Sequence, residues 1–525
     1  MIILSFDVGS KSLKCNLLEF DGHSIEVIAE SVIGYELDFM GNGFVEQDTE
    51  AWWSAICNST KEVLSRTGIS PESVAGISMS AQMMGITLID KEGVPIRPSI
   101  SYLDSRGREE RQRLLGKGIK IVGCNAIKLI RGLWGTGVIP LQDKDVVWKY
   151  KWVEHNEPEA FSRLYKWLDV KDYLNGRMTG NFVATHDSAF VTMLYNPKKR
   201  EFNKKVCRMF EVNPDHLPDL IESTDVVGTL TEQAASEMGL VPGIPVFGGG
   251  GDVNCAAIGS GAADVGEGHI YCGTSGWSSI TIDHTTTDLI RRVCSIVGSD
   301  KTTYNYLSQM ETAGGCFEWA IDNVIIDSIG VSDHVERRAG DVMDIVGNKL
   351  ANTKPGANGV IFAPWINGER CPVDDSNVSS IYFNIHMDTT KMDLMRAICE
   401  GICYNIRWMI ENQSAKIKIP ERMRFVGGCA KNPTICQVLS DITGLEIDVP
   451  EFPRNSGSIG AAIIALVGLG QISELRHASR YVNVTRRYVP TKPTPDVYDK
   501  TYGVFRLLYK HNKKLFHKMN RRVIE

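Results

Sequence analysis

A short strand that ends in a small-residue turn and leads into a second strand occurs twice in this chain, and this repeat limits the folds open to it. The first copy runs from Ile2 to Phe20, with its turn at Asp7 to Ser12. The second runs from His269 to Ile282, with its turn at Gly273 to Gly276. The repeat predicts a duplicated domain with a cleft between the copies and the two turns facing each other across it.

The first turn has the composition of a phosphate-binding loop. Gly9 and Ser10 leave backbone amides free to contact phosphate oxygens, and Lys14 adds a positive charge. Asp7 is a candidate Mg²⁺ ligand, acting through water because Mg²⁺ keeps much of its hydration shell. Taken alone, an ordinary hairpin turn with Asp7 as its polar residue explains this motif better.

Two further glycine motifs follow predicted strands. The run Gly248 to Gly251 lets the backbone pass close to a ligand, and Asp252 at its end could accept a proton from a substrate hydroxyl. Asp252 as the N-cap of the next helix is the alternative, and it is compatible with the first interpretation. Gly427 and Gly428 could seat a flat ring, with Asn432 bonded to a ribose or base. A plain strand-to-helix turn explains this last motif equally well.

Length and composition exclude several classes of protein. At 525 residues the chain is too long for one compact core, so two or more domains are expected. A net charge of -6 argues against nucleic-acid binding, and the 13 scattered cysteines indicate reduced thiols. No basic leader is visible, and no apolar stretch approaches the ~20 residues of a membrane span. We therefore expect a cytoplasmic protein that binds neither nucleic acids nor membranes.

The common nucleotide signatures are missing from the sequence. No Gly-x-x-x-x-Gly-Lys-Ser/Thr occurs, which excludes a P-loop. No Gly-x-Gly-x-x-Gly follows the first strand, and Asn254 breaks that pattern after Gly249 and Gly251. A dinucleotide-dependent dehydrogenase is therefore poorly supported, and nicotinamide fluorescence on titration would test it.

Taken in chain order, the motifs form one series. They are Asp7-Val8-Gly9-Ser10 with Lys14, Glu46-Gln47-Asp48, Ser80 to Gly85, Tyr102 to Arg106, Asp172 to Leu174, Gly250 to Asp252, Gly273 to Ser275, Gly368 to Pro372, Ser380 to Glu400, Gly427-Gly428 and Gly460 to Ala462. This series resembles the FGGY carbohydrate kinases, and most closely their xylulokinase-like branch. The resemblance extends over roughly nine tenths of the chain.

The resemblance implies an α/β protein with the actin-like ATPase fold, in which two ribonuclease-H-like domains enclose a cleft for ATP and sugar. It places an N-terminal domain at residues 1–245, a C-terminal domain at 246–470 and a helical segment at 471–525 that packs back on the body. The implied reaction transfers the γ-phosphate of ATP to a hydroxyl of a ketopentose, D-xylulose or a close relative. The implied partner is a small sugar, and a homodimer is compatible with the family.

Site residues follow from the same resemblance. Asp252 would orient the sugar hydroxyl and take its proton, and it would hold Mg²⁺ together with Asp7. ATP would contact Asp7, Gly9, Ser10, Lys14, Gly273, Thr274, Ser275, Gly427, Gly428 and Asn432. The sugar would contact Gln82, Met83, Met84, Asp104, Arg106 and Asp252. Arg106 could equally form a structural ion pair with Asp104.

Departures from the family pattern keep other functions open. Met84 stands where xylulokinases usually have a sugar-contacting His, and Val253 stands where they tend to have Asn. Both changes lie on the sugar side and put D-xylulose itself in doubt. A kinase for ribulose, an alditol or glycerol is one alternative. A non-kinase actin-like ATPase is the other, although such proteins lack the sugar loop.

Overall fold

The computed structural model describes residues 1–121, 123–325, 347, 349–491 and 495–520, and the chain forms two lobes, each built on a mixed β-sheet. The sheet of the first lobe has its strands in the order Val226–Thr229, Pro245–Phe247, Val74–Ala81, Ile2–Val8, Ser12–Phe20, Ile25–Gly34, with Gly250–Gly251 also paired to Val74–Ala81. The sheet of the second lobe has the order Thr287–Asp288, Val293–Val297, Tyr304–Met310, Gly276–Ile282, Gly268–Cys272, Arg422–Val426, Glu446–Pro450, Val484–Tyr488.

The two sheets share one pairing pattern. In the first lobe, Ile2–Val8 pairs antiparallel with Ser12–Phe20 and parallel with Val74–Ala81. In the second lobe, Gly268–Cys272 pairs antiparallel with Gly276–Ile282 and parallel with Arg422–Val426. The repeat seen in the sequence is therefore a structural duplication, and each small-residue turn leaves its sheet at an equivalent position.

Helices connect and cover the strands of the first lobe. They are Thr49–Thr67, Arg108–Leu115, Ala126–Thr136, Val146–Asn156, Pro158–Phe161, Val170–Thr179, His186–Val191, Lys204–Met209 and Glu232–Met238. The sequence predicts Thr49 as the N-cap of the first of these helices, but the N-cap is Asp48, whose side chain accepts from the Glu50 N–H. This helix ends at Gly68, which takes the left-handed conformation favoured by glycine.

The remaining helices come later in the chain and pack on the second lobe or at the seam of the two lobes. They are Asp252–Gly259, Gly315–Ala320, Lys391–Ser414, Pro433–Thr443, Ser456–Gly468 and Pro495–Met519. The last one packs on the second lobe, because Tyr498, Tyr502, Phe505 and Leu508 are buried in its core. The sequence predicts this helix from Tyr502 to Val523, but it begins at Pro495, and Val523 lies outside the described residues. Among the described helices, none combines the length and apolar composition that crossing a bilayer requires.

Tertiary pairing overrides two expectations from the sequence. The sequence of residues 143–175 predicts helix, but Lys166–Leu168 forms a strand that pairs with Thr87–Ile89 and buries Trp167. The sheet of the first lobe continues to Gly251, past the boundary predicted at residue 245. The chain also returns to the first lobe late, because Ile459 and Ile463 of helix Ser456–Gly468 share a core cluster with that sheet.

Candidate active site

The lobes enclose a cleft of about 950 Å³, and most of the predicted site residues line it. From the predicted set the lining contains Asp7, Gly9, Ser10, Lys14, Gln82, Met83, Met84, Asp252, Gly273, Thr274, Ser275 and Gly428. Gly427, Asn432, Asp104 and Arg106 are absent from this lining among the described residues. The structure therefore brings together the two predicted phosphate loops, Asp252 and the sugar loop.

The first phosphate loop keeps backbone donors free. Gly9 N–H closes the turn on the Ser12 carbonyl over 3.0 Å, whereas the N–H groups of Ser10 and Lys11 donate to no acceptor within the described residues. Lys14 Nζ lies 3.2 Å from Asp7 Oδ2 and donates to the Arg454 carbonyl over 3.3 Å. Burial alone would lower the pKa of Lys14, but the carboxylate of Asp7 and further nearby acids outweigh it and raise that pKa.

Asp7 faces the start of a helix from the second half of the chain. A methyl group at Gly457 would lie 2.8 Å from the Asp7 carboxyl, so only glycine lets helix Ser456–Gly468 approach so closely. The positive end of a helix dipole favours negative charge at this place. Asp7 and Asp252 both line the cleft, and their carboxylates fit Mg²⁺, which binds one or two protein carboxylates together with phosphate oxygens and water.

The second phosphate loop is anchored through its carbonyl groups, whereas two of its amides make no hydrogen bond within the described residues. The carbonyls of Gly273 and Thr274 accept from Gly314 N–H over 2.7 Å and Ala313 N–H over 2.8 Å. No described group accepts from the N–H groups of Thr274 and Ser275. These two amides are thus available to phosphate oxygens.

Asp252 opens a helix at the seam of the two lobes. It occupies the first helical position and Gly251 is the N-cap, so the predicted capping role for Asp252 was wrong by one residue. Its Oδ1 accepts from the Val253 N–H over 2.8 Å. Burial, together with the negative charge of Asp7, raises the pKa of Asp252 to about 7. A carboxyl with such a pKa can exchange a proton with a substrate hydroxyl near neutral pH.

A buried carboxylate that sequence analysis did not single out anchors the loop before Asp252. Asp187 Oδ2 accepts from the Gly251 N–H over 2.8 Å and from Asn254 Nδ2 over 2.9 Å. Thr185 links Asp187 to Lys171, whose Nζ donates to the Thr185 hydroxyl over 2.7 Å. Burial would raise the pKa of Asp187, but Lys171 and these donors lower it. Asp187 therefore stays charged and fixes the backbone on both sides of Asp252.

The sugar loop is connected to the first phosphate loop through glutamines. Gln82 Nε2 donates to Gln47 Oε1 over 2.7 Å, and Gln47 Nε2 donates to the Ser10 carbonyl over 2.7 Å. The Gln82 Oε1 atom is buried and has no partner within the described residues. A buried unpaired acceptor is costly, so this atom is suited to a ligand hydroxyl.

Met84 takes a left-handed backbone conformation, with φ of 67°. Asp169 stabilises it, because its two carboxylate oxygens accept from the N–H groups of Met84 and Gly85, each over 3.1 Å. Burial and the charge of Asp172 raise the pKa of Asp169 to about 7. The sugar loop is therefore held from below while Met83 and Met84 face the cleft.

Asp104 and Arg106 form an ion pair inside the first lobe. Arg106 Nη2 lies 2.8 Å from Asp104 Oδ2 and 2.6 Å from Glu46 Oε1. The guanidinium packs against the rings of Phe44 and Trp152, at 4.4 Å and 4.6 Å from their centroids. Both charged side chains are fully buried. These contacts match the alternative in which Arg106 forms a structural ion pair with Asp104, and neither residue is in the cleft lining.

Of the three predicted adenosine contacts, one is in the cleft lining and two are outside it. Gly428 lines the cleft, and nothing lies within 4 Å of the place where a Cβ would stand, which leaves room for a flat ring. A Cβ at Gly427 would meet the Cys272 carbonyl oxygen at 2.5 Å, so this glycine allows two strands to approach. Asn432 is buried, and its Oδ1 caps helix Pro433–Thr443.

Further residues of the cleft have no role assigned from the sequence. Arg370 and Tyr102 belong to motifs of the series, whereas Glu311 and Tyr271 belong to none. Arg370 lies 5.8 Å from the Tyr102 ring and donates to Gln309 over 3.0 Å. Glu311 bonds Arg370 and, over 3.3 Å, accepts from Lys144 of the other lobe. Tyr271 precedes the second phosphate loop, and only its position before that turn could have marked it.

Known proteins are similar to this chain over nearly its whole length. A xylulose kinase of Staphylococcus epidermidis is 28% identical over 516 residues, which cover 98% of this chain and 97% of that protein. A gluconokinase of Bacillus subtilis is 26% identical over 505 residues, covering 96% and 94%. The crystal structure of ligand-bound xylulose kinase from Lactobacillus acidophilus matches with a TM-score of 0.84 at 21% identity, covering 98% and 99%. This match confirms the predicted two-lobed actin-like fold.

The family models agree with the order of the motifs. The model of the N-terminal domain of the FGGY family of carbohydrate kinases matches residues 2–259, and the model of its C-terminal domain matches residues 268–469. Together the two models span both phosphate loops and Asp252. The match indicates a sugar kinase that uses ATP as phosphate donor. The chain belongs to the FGGY family of carbohydrate kinases.

Proposed function

We propose that this protein transfers the γ-phosphoryl group of ATP to a hydroxyl of a ketopentose, with D-xylulose as the first candidate. The proposal rests on one observation: Asp252 lines the cleft, close enough to Asp7 for that charge to contribute to its raised pKa. The Staphylococcus epidermidis relative and the Lactobacillus acidophilus structure, both xylulose kinases, support the choice of sugar.

Proton transfer from the sugar hydroxyl is assigned to Asp252. Its pKa of about 7 matches the requirement that a general base be ionised at neutral pH and still bind a proton well. The sugar oxygen attacks the terminal phosphorus of ATP, the bond from that phosphorus to the ADP oxygen breaks, and the hydroxyl proton passes to Asp252. Gln82 orients the sugar through its free Oε1.

Charge on the moving phosphoryl group is offset by residues of both lobes. Lys14 supplies a positive charge from the first lobe, and the amides of Thr274 and Ser275 supply donors from the second. Asp7 and Asp252 would hold Mg²⁺, which contributes positive charge next to the phosphates when it is bound. Gly428 provides the surface for the adenine ring.

A cytoplasmic location is part of this proposal. All described cysteines are free thiols, and most of them are buried. Reduced thiols are the normal state of cytosolic proteins, where ATP is also present. Fractionation of cells that express the full chain would test the location directly.

The sugar is tested with a panel in an assay that couples ADP release to a measurable signal. D-xylulose, ribulose, gluconate, glycerol and an alditol are compared at equal ATP and Mg²⁺, with Asp252→Asn as the matched inactive variant. We expect sugar-dependent ADP release that is fastest with a ketopentose and falls by ~10²–10⁴ in the variant. ADP release that no sugar stimulates, or a fully active variant, would reject the proposal.

Gluconate is a second candidate because of Arg370. This guanidinium lines the cleft, and its Nη2 makes no hydrogen bond within the described residues. A guanidinium can pair with a carboxylate, which gluconate has and xylulose lacks. The Bacillus subtilis gluconokinase relative supports this candidate. Arg370→Met separates the two, since it should raise the KM for gluconate by ~10-fold or more and change the KM for a ketopentose less.

A further inference from the structure

An aromatic stack lines the cleft beside the second phosphate loop. Tyr271 and Trp277 face each other on neighbouring antiparallel strands, with ring centroids 3.9 Å apart and planes 8° from parallel. The Trp277 indole N–H donates to Nε2 of His269 over 2.9 Å. Burial lowers the pKa of His269 to about 3, so the imidazole is neutral and can accept this hydrogen bond. Stacking and this hydrogen bond fix the plane of the Tyr271 ring.

The Tyr271 hydroxyl lies at the point where the two lobes meet. A Cβ built on Gly273 would stand 2.6 Å from the phenol oxygen, which places that oxygen against the second phosphate loop. The charged groups that act on the phenol include Lys14, Asp7 and Asp252. It therefore lies within electrostatic range of the ionised groups that surround the proposed reaction.

This hydroxyl is a free donor. It makes no hydrogen bond to any residue that the structure describes, and its ring lines the cleft. Burial raises the pKa of Tyr271 to about 12, with Lys14 opposing the rise and Asp7 adding to it. The phenol thus keeps its proton at neutral pH and has that proton available for a ligand.

We propose that the Tyr271 hydroxyl is a further catalytic group, which donates a hydrogen bond to an oxygen of the phosphoryl group as it moves from ATP to the sugar. This inference rests on the proposed kinase function. The transferred group carries charge on its three equatorial oxygens, and the protein acts chiefly by positioning donors around them. Lys14 reaches this group from the first lobe and Tyr271 from the second.

Fixed orientation makes the phenol effective in this role. A donor that is already aimed at the developing charge needs no reorganisation when the reaction occurs. The stack on Trp277 fixes the orientation of the Tyr271 ring, and the closeness of its hydroxyl to Gly273 places that hydroxyl beside the second phosphate loop. A phenylalanine would fill the same wall of the cleft, so packing alone gives no reason for the hydroxyl.

The test compares Tyr271→Phe with wild-type protein at saturating ATP, Mg²⁺ and the best sugar of the panel. The substitution keeps the ring and its stack and removes only the donor. We expect kcat to fall by at least ~10-fold, towards the ~10²–10³ found for single donors to a developing oxyanion. KM for ATP and for the sugar should stay within about twofold, because the bond strengthens in the transition state. Single-turnover mixing should show the same loss in the chemical step.

Tyr306→Phe is the matched control. Tyr306 is fully buried in the core of the same lobe, outside the cleft lining, and its hydroxyl also lacks a partner within the described residues. Its variant should keep wild-type kcat. Tyr271→Phe should keep the wild-type melting temperature, and Tyr306→Phe should melt at that temperature or above it, because it removes a buried hydroxyl that has no partner within the described residues.

The outcomes separate the inference from the function on which it rests. Unchanged kcat in Tyr271→Phe, with an active wild-type protein, overturns the inference alone. A rise in sugar KM without a fall in kcat also overturns it, because the hydroxyl would then bind the sugar in the ground state. Wild-type protein that phosphorylates no sugar of the panel sinks the proposed function and this inference together.

Discussion

Replacement of Asp252 by asparagine should make the ligand-free protein more stable, and more so at high pH than at low pH. The carboxyl is half-buried, and desolvation together with the charge of Asp7 raises its pKa from 3.8 to about 7. Its ionised form is therefore less favourable in the folded protein than in the unfolded chain. Active sites often retain such unfavourable groups because the reaction needs them.

The sign follows from proton linkage. Well below pH 4 the carboxyl is protonated in both states and contributes nothing to the pH dependence. As the pH rises from about 4 to about 7, the unfolded chain releases the proton first, so the folded state loses stability over this window. Above about pH 7 the loss is complete, and asparagine removes all of it.

The magnitude comes from the same pair of pKa values. At about 1.4 kcal/mol per pH unit, the interval from 3.8 to about 7 corresponds to about 4 kcal/mol as an upper limit. Asp252 is partly exposed, and solvent screens part of this, so we expect ~1–3 kcal/mol at pH 8. Near pH 4 the difference should be close to zero.

The assay is denaturant unfolding of wild-type protein and Asp252→Asn at several pH values between 4 and 8, with EDTA and without nucleotide. Asp264→Asn is the matched control. The Asp264 carboxylate also accepts from the N–H of the next residue, over 2.8 Å, but it is exposed. A difference in unfolding free energy that stays the same across this pH range, or a less stable Asp252→Asn at pH 8, would refute the reasoning.

Three further variants test separate parts of the site. Asp187→Asn should lower kcat by ~10-fold at unchanged KM for ATP, because it loosens the loop before Asp252; steady-state kinetics with unchanged kcat would contradict the anchoring role. Gly428→Val should fold normally and raise the KM for ATP by ~10-fold or more, since its Cβ enters open cleft space; unchanged nucleotide titration would move the adenosine site elsewhere. Arg106→Met should cost ~3–5 kcal/mol of stability by leaving Asp104 buried without its arginine, whereas Glu46 keeps its ion pair with Arg97. A sugar KM that rises with no change in melting temperature would restore the predicted sugar contact.

Local backbone chemistry made the phosphate loops predictable. A turn of small residues between two strands indicates free amides directly, because no distant residue is needed to expose them. The duplicated strand order could be predicted because the same local strand-turn-strand pattern occurs twice in the sequence. Asp252 followed from its place at the end of a glycine run, although the run alone did not decide between a base and a helix cap.

Long-range contacts were beyond the sequence. Asp187 is 64 residues from the Gly251 amide that it fixes, and nothing in either segment announces the pair. Asp104 and Arg106 fit a sugar motif, but charged residues with fixed geometry serve a core ion pair equally well. Only the packing of Phe44 and Trp152 around the guanidinium separates the two roles.

The helix that begins at Asp252 explains why chemistry should wait for both substrates. Cys255 and Ile258 pack with the sheet of the first lobe, whereas Val253 and Ala256 pack with Trp277 of the second. Asp252 therefore lies on the seam, near the sugar loop on one side and the nucleotide loops on the other. A closure that brings the lobes together changes how the second phosphate loop faces Lys14 and the sugar loop of the first lobe, and it expels water, the competing nucleophile. Because Lys14 belongs to the first lobe and the second phosphate loop to the second, an open cleft cannot complete the site around water alone.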